Sequence, residues 1–143
     1  MYLFIPCFSR AEQMAFYGFT DGACRHTLNL ASTTWVLYSP TYDLAILGVV
    51  CIGPTTNNIA KYRTIIGLLT EAASQYVRNI IVLMDSQLVV CHINHVYTIR
   101  NHVFLHLFRR VHLLERSFKC ITYRHIPRSD ITIADSLANY ILD

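Results

Sequence analysis

A chain of 143 residues and 16.4 kDa is the size of a single domain and leaves no room for a second core. Hydrophobic residues make up 53% and Asp, Glu, Lys and Arg only 15%, which excludes intrinsic disorder and a charge-rich coiled coil. The net charge of +3 permits nucleic-acid binding without requiring it, and the mean hydropathy of +0.34 predicts an apolar surface patch, compatible with a homodimer.

Residues 1–8 are apolar but short, lack a basic flank and meet Arg10 and Glu12 at once, so they read as an ordinary N-terminal segment rather than a signal peptide. No apolar run approaches the roughly 20 residues that span a bilayer. Five cysteines stand singly with no Cys-x-x-Cys pair, which argues against a disulfide framework or a zinc knuckle and predicts a reducing, intracellular setting.

Residues 14–20 are apolar and aromatic and meet Asp21-Gly22, which predicts a first strand closed by a turn. Residues 33–38 and 44–52 are β-rich runs joined by the turn-forming residues 39–43, so three antiparallel strands are expected. Thr55, Thr56, Asn57 and Asn58 offer N-cap chemistry to a helix over about 59–76. Residues 79–84 are continuously apolar and β-branched, as in a strand buried on both faces.

Asp85 and Ser86 then open a helix to about residue 95. A third helix is predicted over 100–116, with Phe104, Leu107, Phe108, Val111 and Leu114 at helical spacing and a basic opposite face. Residues 119–126 alternate as a strand, and Asp130 can cap a last helix carrying Ala134, Leu137, Ala138 and Ile141. The order is one of α/β type: a mixed sheet of three antiparallel and then parallel strands, flanked by helices, in one domain over residues 1–143.

Three aspartates stand out: Asp21 at the close of the first strand, Asp85 at the close of the fourth, and Asp135 in the last helix. Each has a local explanation, as a turn residue, an N-cap and a solvated position. Carboxylates at the ends of neighbouring strands converge, however, and such a cluster repels itself unless a cation is present. Hard oxygen donors of this kind suit Mg²⁺ or Mn²⁺.

Four segments carry a resemblance. Phe19-Thr20-Asp21-Gly22-Ala23, the run from Asn57 to Arg63, Leu83-Met84-Asp85-Ser86-Gln87-Leu88-Val89, and His125-Ile126-Pro127-Arg128 followed by Ala134-Asp135-Ser136-Leu137-Ala138 together resemble ribonuclease H of the retroelement and plant type. The resemblance implies the RNase H-like fold and a two-metal hydrolase that cuts the RNA strand of an RNA/DNA hybrid. It implies Asp21, Asp85 and Asp135 as catalytic and metal-binding carboxylates. Asn57, Asn58, Ser86 and Arg128 within these segments are candidate nucleic-acid contacts, and His102, His106 and Arg109 on the third helix join them as read from its basic face.

Lys61 departs from that pattern, because it stands where the family carries its fourth carboxylate, a glutamate in the first helix. It shares a helical stripe with Ile65, Leu68 and Ala72, and a lysine near a helix N-terminus opposes the dipole. Two readings follow: the side chain snorkels outward, or its ammonium points into the aspartates and replaces a cation. In the second reading metal affinity and catalysis are weakened or lost, and the domain persists as a non-catalytic nucleic-acid-binding or dimerising module. Glu71 cannot substitute, since ten residues along a helix is about 15 Å.

The stretch 24–32 holds no glycine or proline where the family has a glycine-rich turn, and Ile131, Thr132 and Ile133 make the loop before Asp135 apolar. On the third helix His102, His106, Arg109 and Arg116 share a face, with Arg100 and Arg110 nearby, a ridge suited to phosphate contacts. His125 reads as a strand-end residue, and Trp35 as core.

Overall fold

The computed structural model describes residues 14–25, 30–41, 43–51, 57–95 and 98–127, with the backbone alone for 21–25, 30–33, 49–51 and 57. The elements are β1 (Phe16–Arg25), β2 (Leu30–Tyr38), β3 (Leu44–Cys51), α1 (Asn57–Ser74), β4 (Asn79–Met84), α2 (Gln87–Ile93), α3 (His102–Glu115) and β5 (Cys120–His125). The strands form one mixed sheet in the order β3-β2-β1-β4-β5. The pairs β1/β2 and β2/β3 are antiparallel, and β1/β4 and β4/β5 are parallel. The expected α/β architecture is therefore present, while the helix expected after Asp130 lies outside the described residues.

One expectation fails in β1. Asp21-Gly22 does not close the strand, which runs on to Arg25, and β2 begins at Leu30 rather than at 33. Asp21 pairs with Thr34 and Gly22 with Thr33, so ladder hydrogen bonds to a partner strand override the local turn preference of Asp-Gly. The segment 24–32 is accordingly not one long turn, because both of its ends are paired strand.

β4 matches its expected span, residue for residue. It is buried on both faces: Ile80, Val82 and Met84 pack toward the helices, and Ile81 and Leu83 join Tyr17, Phe19 and Val36 on the opposite side. The helices supply the first face with Tyr62, Ile65, Leu68, Leu69 and Ala72 of α1, Val89, Val90 and Ile93 of α2, and Leu107 and Val111 of α3. Phe104, Phe108 and Leu114 pack against this core from its margin, as their spacing predicts. Trp35 is 5% exposed and wedged between β3 and α1. A Cβ on Gly48 would sit 2.1 Å from its ring, and one on Gly67 2.6 Å, so both glycines are required by close approach.

α1 ends in a left-handed turn at Tyr76 (φ 60°), where Val77 N–H donates to the Ala72 carbonyl and Tyr76 N–H to that of Ala73. The N-cap of α2 is Ser86, whose side chain accepts from Val89 N–H at 3.3 Å; Asp85 is therefore not the cap. Asn101 caps α3 by accepting from Val103 and Phe104 N–H. Large apolar side chains remain exposed at Leu44 and Leu47 on β3 and at Val103 and Leu113 on α3, in line with the apolar composition. No helix among the described residues is long and apolar enough to cross a membrane.

Candidate active site

The parallel register of β1 and β4 runs to the pair Thr20 and Met84, and the next residues on the two strands are Asp21 and Asp85. The register of β4 and β5 ends at Met84 and His125. One edge of the sheet thus gathers Asp21, Asp85 and His125 in backbone register, at the C-terminal ends of β4 and β5, where open α/β sheets bind ligands. The side chain of Asp21 and the whole of Asp135 and Arg128 lie outside the described residues.

Lys61, the fifth residue of α1, reaches this edge. Its Nζ lies 3.2 Å from Asp85 Oδ1, with the two side chains 18% and 7% exposed. Ile65, Leu68 and Ala72, on the same stripe, are fully buried, so the helix turns this row toward the sheet and carries Lys61 with it. Lys61 is thus turned toward Asp85 rather than outward to solvent. A carboxylate this far from water needs a charged or hydrogen-bonded partner, and the ammonium supplies one across 24 residues of sequence. Glu71 is exposed near the other end of α1.

His125 closes β5 with its Nε2 3.0 Å from the Asp85 carbonyl oxygen. Because a carbonyl only accepts, Nε2 carries the proton in this contact. The histidine thus ties the end of β5 to the residue that bears the candidate carboxylate, a contact that its own strand pattern did not reveal.

Next to Lys61, the Tyr62 side chain is wholly buried and its hydroxyl lies 3.0 Å from His92 Nδ1. Burial pushes the phenol above its usual range and pulls the imidazole below its own, which favours a hydrogen bond between two neutral groups. Phe104 stacks on Tyr62 with centroids 5.7 Å apart, so this bond and stack join α1, α2 and α3 immediately behind Lys61. The pair was not legible in the sequence, because a tyrosine and a histidine 30 residues apart carry no local signal for each other.

Of the expected nucleic-acid contacts, Asn57 and Asn58 open α1, and the buried Ser86 is engaged at the start of α2. His102, His106 and Arg109 are exposed on α3. Of the candidate carboxylates only the side chain of Asp85 is among the described residues, and it faces an ammonium rather than an open metal position. Among the described residues no group of three or more His, Cys, Asp or Glu side chains is arranged to hold a metal.

A mixed sheet ordered 3-2-1-4-5, with its central antiparallel hairpin and parallel β4 and β5, defines the ribonuclease H class of fold. A family model described as reverse transcriptase-like matches residues 19–141, and the chain belongs to that family. Ribonuclease HI of Halobacterium salinarum is 32% identical over 127 residues, 89% of this chain and 64% of that protein. The crystal structure of RNase H1 from that archaeon aligns with a TM-score of 0.86 at 31% identity, covering 90% of this chain and 98% of the other.

A bifunctional protein of Mycobacterium tuberculosis is 37% identical over 92 residues, 64% of this chain. Its N-terminal RNase H domain, solved as a fusion with maltose-binding protein, aligns with a TM-score of 0.85 at 30% identity, covering 91% and 94% of the two chains. The chain spans 25% of the mycobacterial protein's length and under two thirds of the halophilic one's.

Proposed function

We propose that this chain is a ribonuclease H-type domain that binds RNA/DNA hybrid and whose metal-dependent hydrolysis of the RNA strand is weakened or lost. The single observation that carries this reading is the contact of 3.2 Å between Lys61 Nζ and Asp85 Oδ1. Asp21, Asp85 and Asp135 are the carboxylates of the active ancestor, and Lys61 replaces the fourth. The exchange of Glu for Lys changes the local charge by two units, removes an oxygen donor and puts an ammonium on a remaining one. Lys61 then holds the site together by neutralising Asp85 rather than by serving chemistry.

The exposed basic row on α3 favours a retained binding role, with His102, His106 and Arg109 meeting phosphates without reading sequence. Asn57, Asn58, Ser86 and Arg128 are the further contacts of this reading. In its strongest form the domain is a binding or dimerising module with no metal requirement, and the exposed Leu44 and Leu47 on β3 supply an apolar surface for self-association.

The test is cleavage of a labelled RNA/DNA hybrid in Mg²⁺ and in Mn²⁺ by this chain, by Lys61→Glu, and by Lys61→Glu combined with Asp21→Asn. Little cleavage by the parent, a strong gain in the first variant and its loss in the second are expected. Full activity of the parent would overturn the reading of Lys61. No cleavage by any variant, with hybrid binding intact, would leave the binding module as the function.

A further inference from the structure

A cavity of about 240 Å³ opens between the end of α2 and the first half of α3, lined by His92, His95, Thr98, Ile99, Leu105 and Phe108. It is smaller than the roughly 300–1,000 Å³ of pockets that engulf a drug-sized ligand, and it matches one planar ring system with the remainder left outside. Its aromatic wall is ordered. Phe108 meets His95 edge-on at 5.5 Å and His112 edge-on at 4.3 Å, and the two imidazoles stack at 5.2 Å. His95 is held there by a left-handed backbone (φ 63°), which a histidine adopts only at some cost.

Charge is concentrated around this cavity. The thirty residues 87–116 contain four arginines and one glutamate, an excess equal to the +3 of the whole chain, so the remainder is neutral in sum. The glutamate, Glu115, is turned to His112 Nδ1 and does not offset the rim. Leu105, Arg109, His112 and Arg116 follow one another at i, i+4, i+7 and i+11, which puts both arginines on the stripe of α3 that begins at the cavity wall. Arg100 follows Ile99 directly and is exposed, as are Arg109 and Arg116.

An aromatic slot for one ring beside guanidinium groups is the arrangement by which proteins hold an unpaired base and its phosphate. We infer that this cavity is a nucleotide-binding site for a single-stranded nucleic acid, taking one unpaired base against His95 and Phe108 and the adjoining phosphates on Arg100 and Arg109. Neither Lys61 nor Asp85 lines the cavity, so this inference stands apart from the proposed loss of hydrolysis. Every base has a π face, so the site is tolerant of sequence.

The test uses the full chain and a single-stranded DNA oligonucleotide carrying one 2-aminopurine, whose fluorescence falls on stacking. Saturable quenching is expected. His95→Asn keeps a residue at ease in the left-handed backbone, removes the ring, and should abolish the quenching and weaken binding about tenfold. Arg109→Gln should weaken binding and lower the dependence of log K on log salt by about one unit.

An abasic oligonucleotide that binds as tightly as the parent strand would overturn the proposal, as would quenching unchanged in both His95→Asn and Phe108→Leu. Competition by deoxyadenosine monophosphate distinguishes a site for free nucleotides from one that takes a base only within a strand. Lys61→Glu, which tests the hydrolase reading, should leave the quenching unchanged, so the two ideas fail separately.

Discussion

Lys61 and Asp85 form an ion pair of 3.2 Å at the end of β4. The pair is too buried for solvent to screen it as at an open surface, and removing one partner leaves the other charge in a poor environment. Lys61→Met should therefore lower stability by about 1–2 kcal/mol in urea unfolding at neutral pH, even though methionine packs better than lysine. A variant as stable as the parent would mean that the contact contributes nothing. Lys61→Glu should be destabilised further without metal and gain melting temperature on adding Mg²⁺, while the parent does not respond. Tyr76 is a different case: it is 88% exposed and holds the left-handed turn after α1 with a side chain that contributes little packing. Tyr76→Gly should raise stability by about 0.5–1 kcal/mol, measured as a shift of the unfolding midpoint.

Among the elements, the hairpin of β1 and β2 and its cover by α1 set where the candidate site falls. Trp35 on β2 fills the space between Gly48 of β3 and Gly67 of α1, and a methyl group at either position would overlap its ring. Gly48→Ala should cost about 1–3 kcal/mol, because the clash is with a rigid ring in a closed space rather than with the end of a flexible chain. Retained stability would show that the strand can slide away. Period and composition made β4, the helical stripes and the β2–β3 turn legible in advance, since each depends on residues close in sequence. The extension of β1 through Asp21-Gly22 was not legible, because the ladder that sustains it is supplied by residues 30–34 of another strand.

For the whole molecule, the buried bond between Tyr62 and His92, with Phe104 stacked beside it, couples three helices and predicts a pH dependence. Burial lowers the pKa of His92 from 6.5 in the folded chain. As pH falls through 6.5 the unfolded chain takes up a proton that the folded chain does not, so stability present above that pH is lost below it. His92→Gln retains a hydrogen-bonding group for the Tyr62 hydroxyl and does not titrate. Its stability between pH 7 and 5 should change less steeply than the parent's, as read by urea midpoints across that range. Equal slopes would assign the acid sensitivity to other groups.

The class of fold, most strand and helix positions, the burial of Trp35 and the basic face of α3 were legible in the amino-acid sequence. These follow from hydrophobic period, turn chemistry and residue type, which act over a few neighbours. The approach of Lys61 to Asp85, the bond of His125 to the Asp85 backbone, the meeting of Tyr62 and His92 and the cavity beside the arginines of α3 emerged from the packing. Each of those facts joins residues far apart in the chain, and their distances are set by how the helices pack on the sheet rather than by any pattern within one segment.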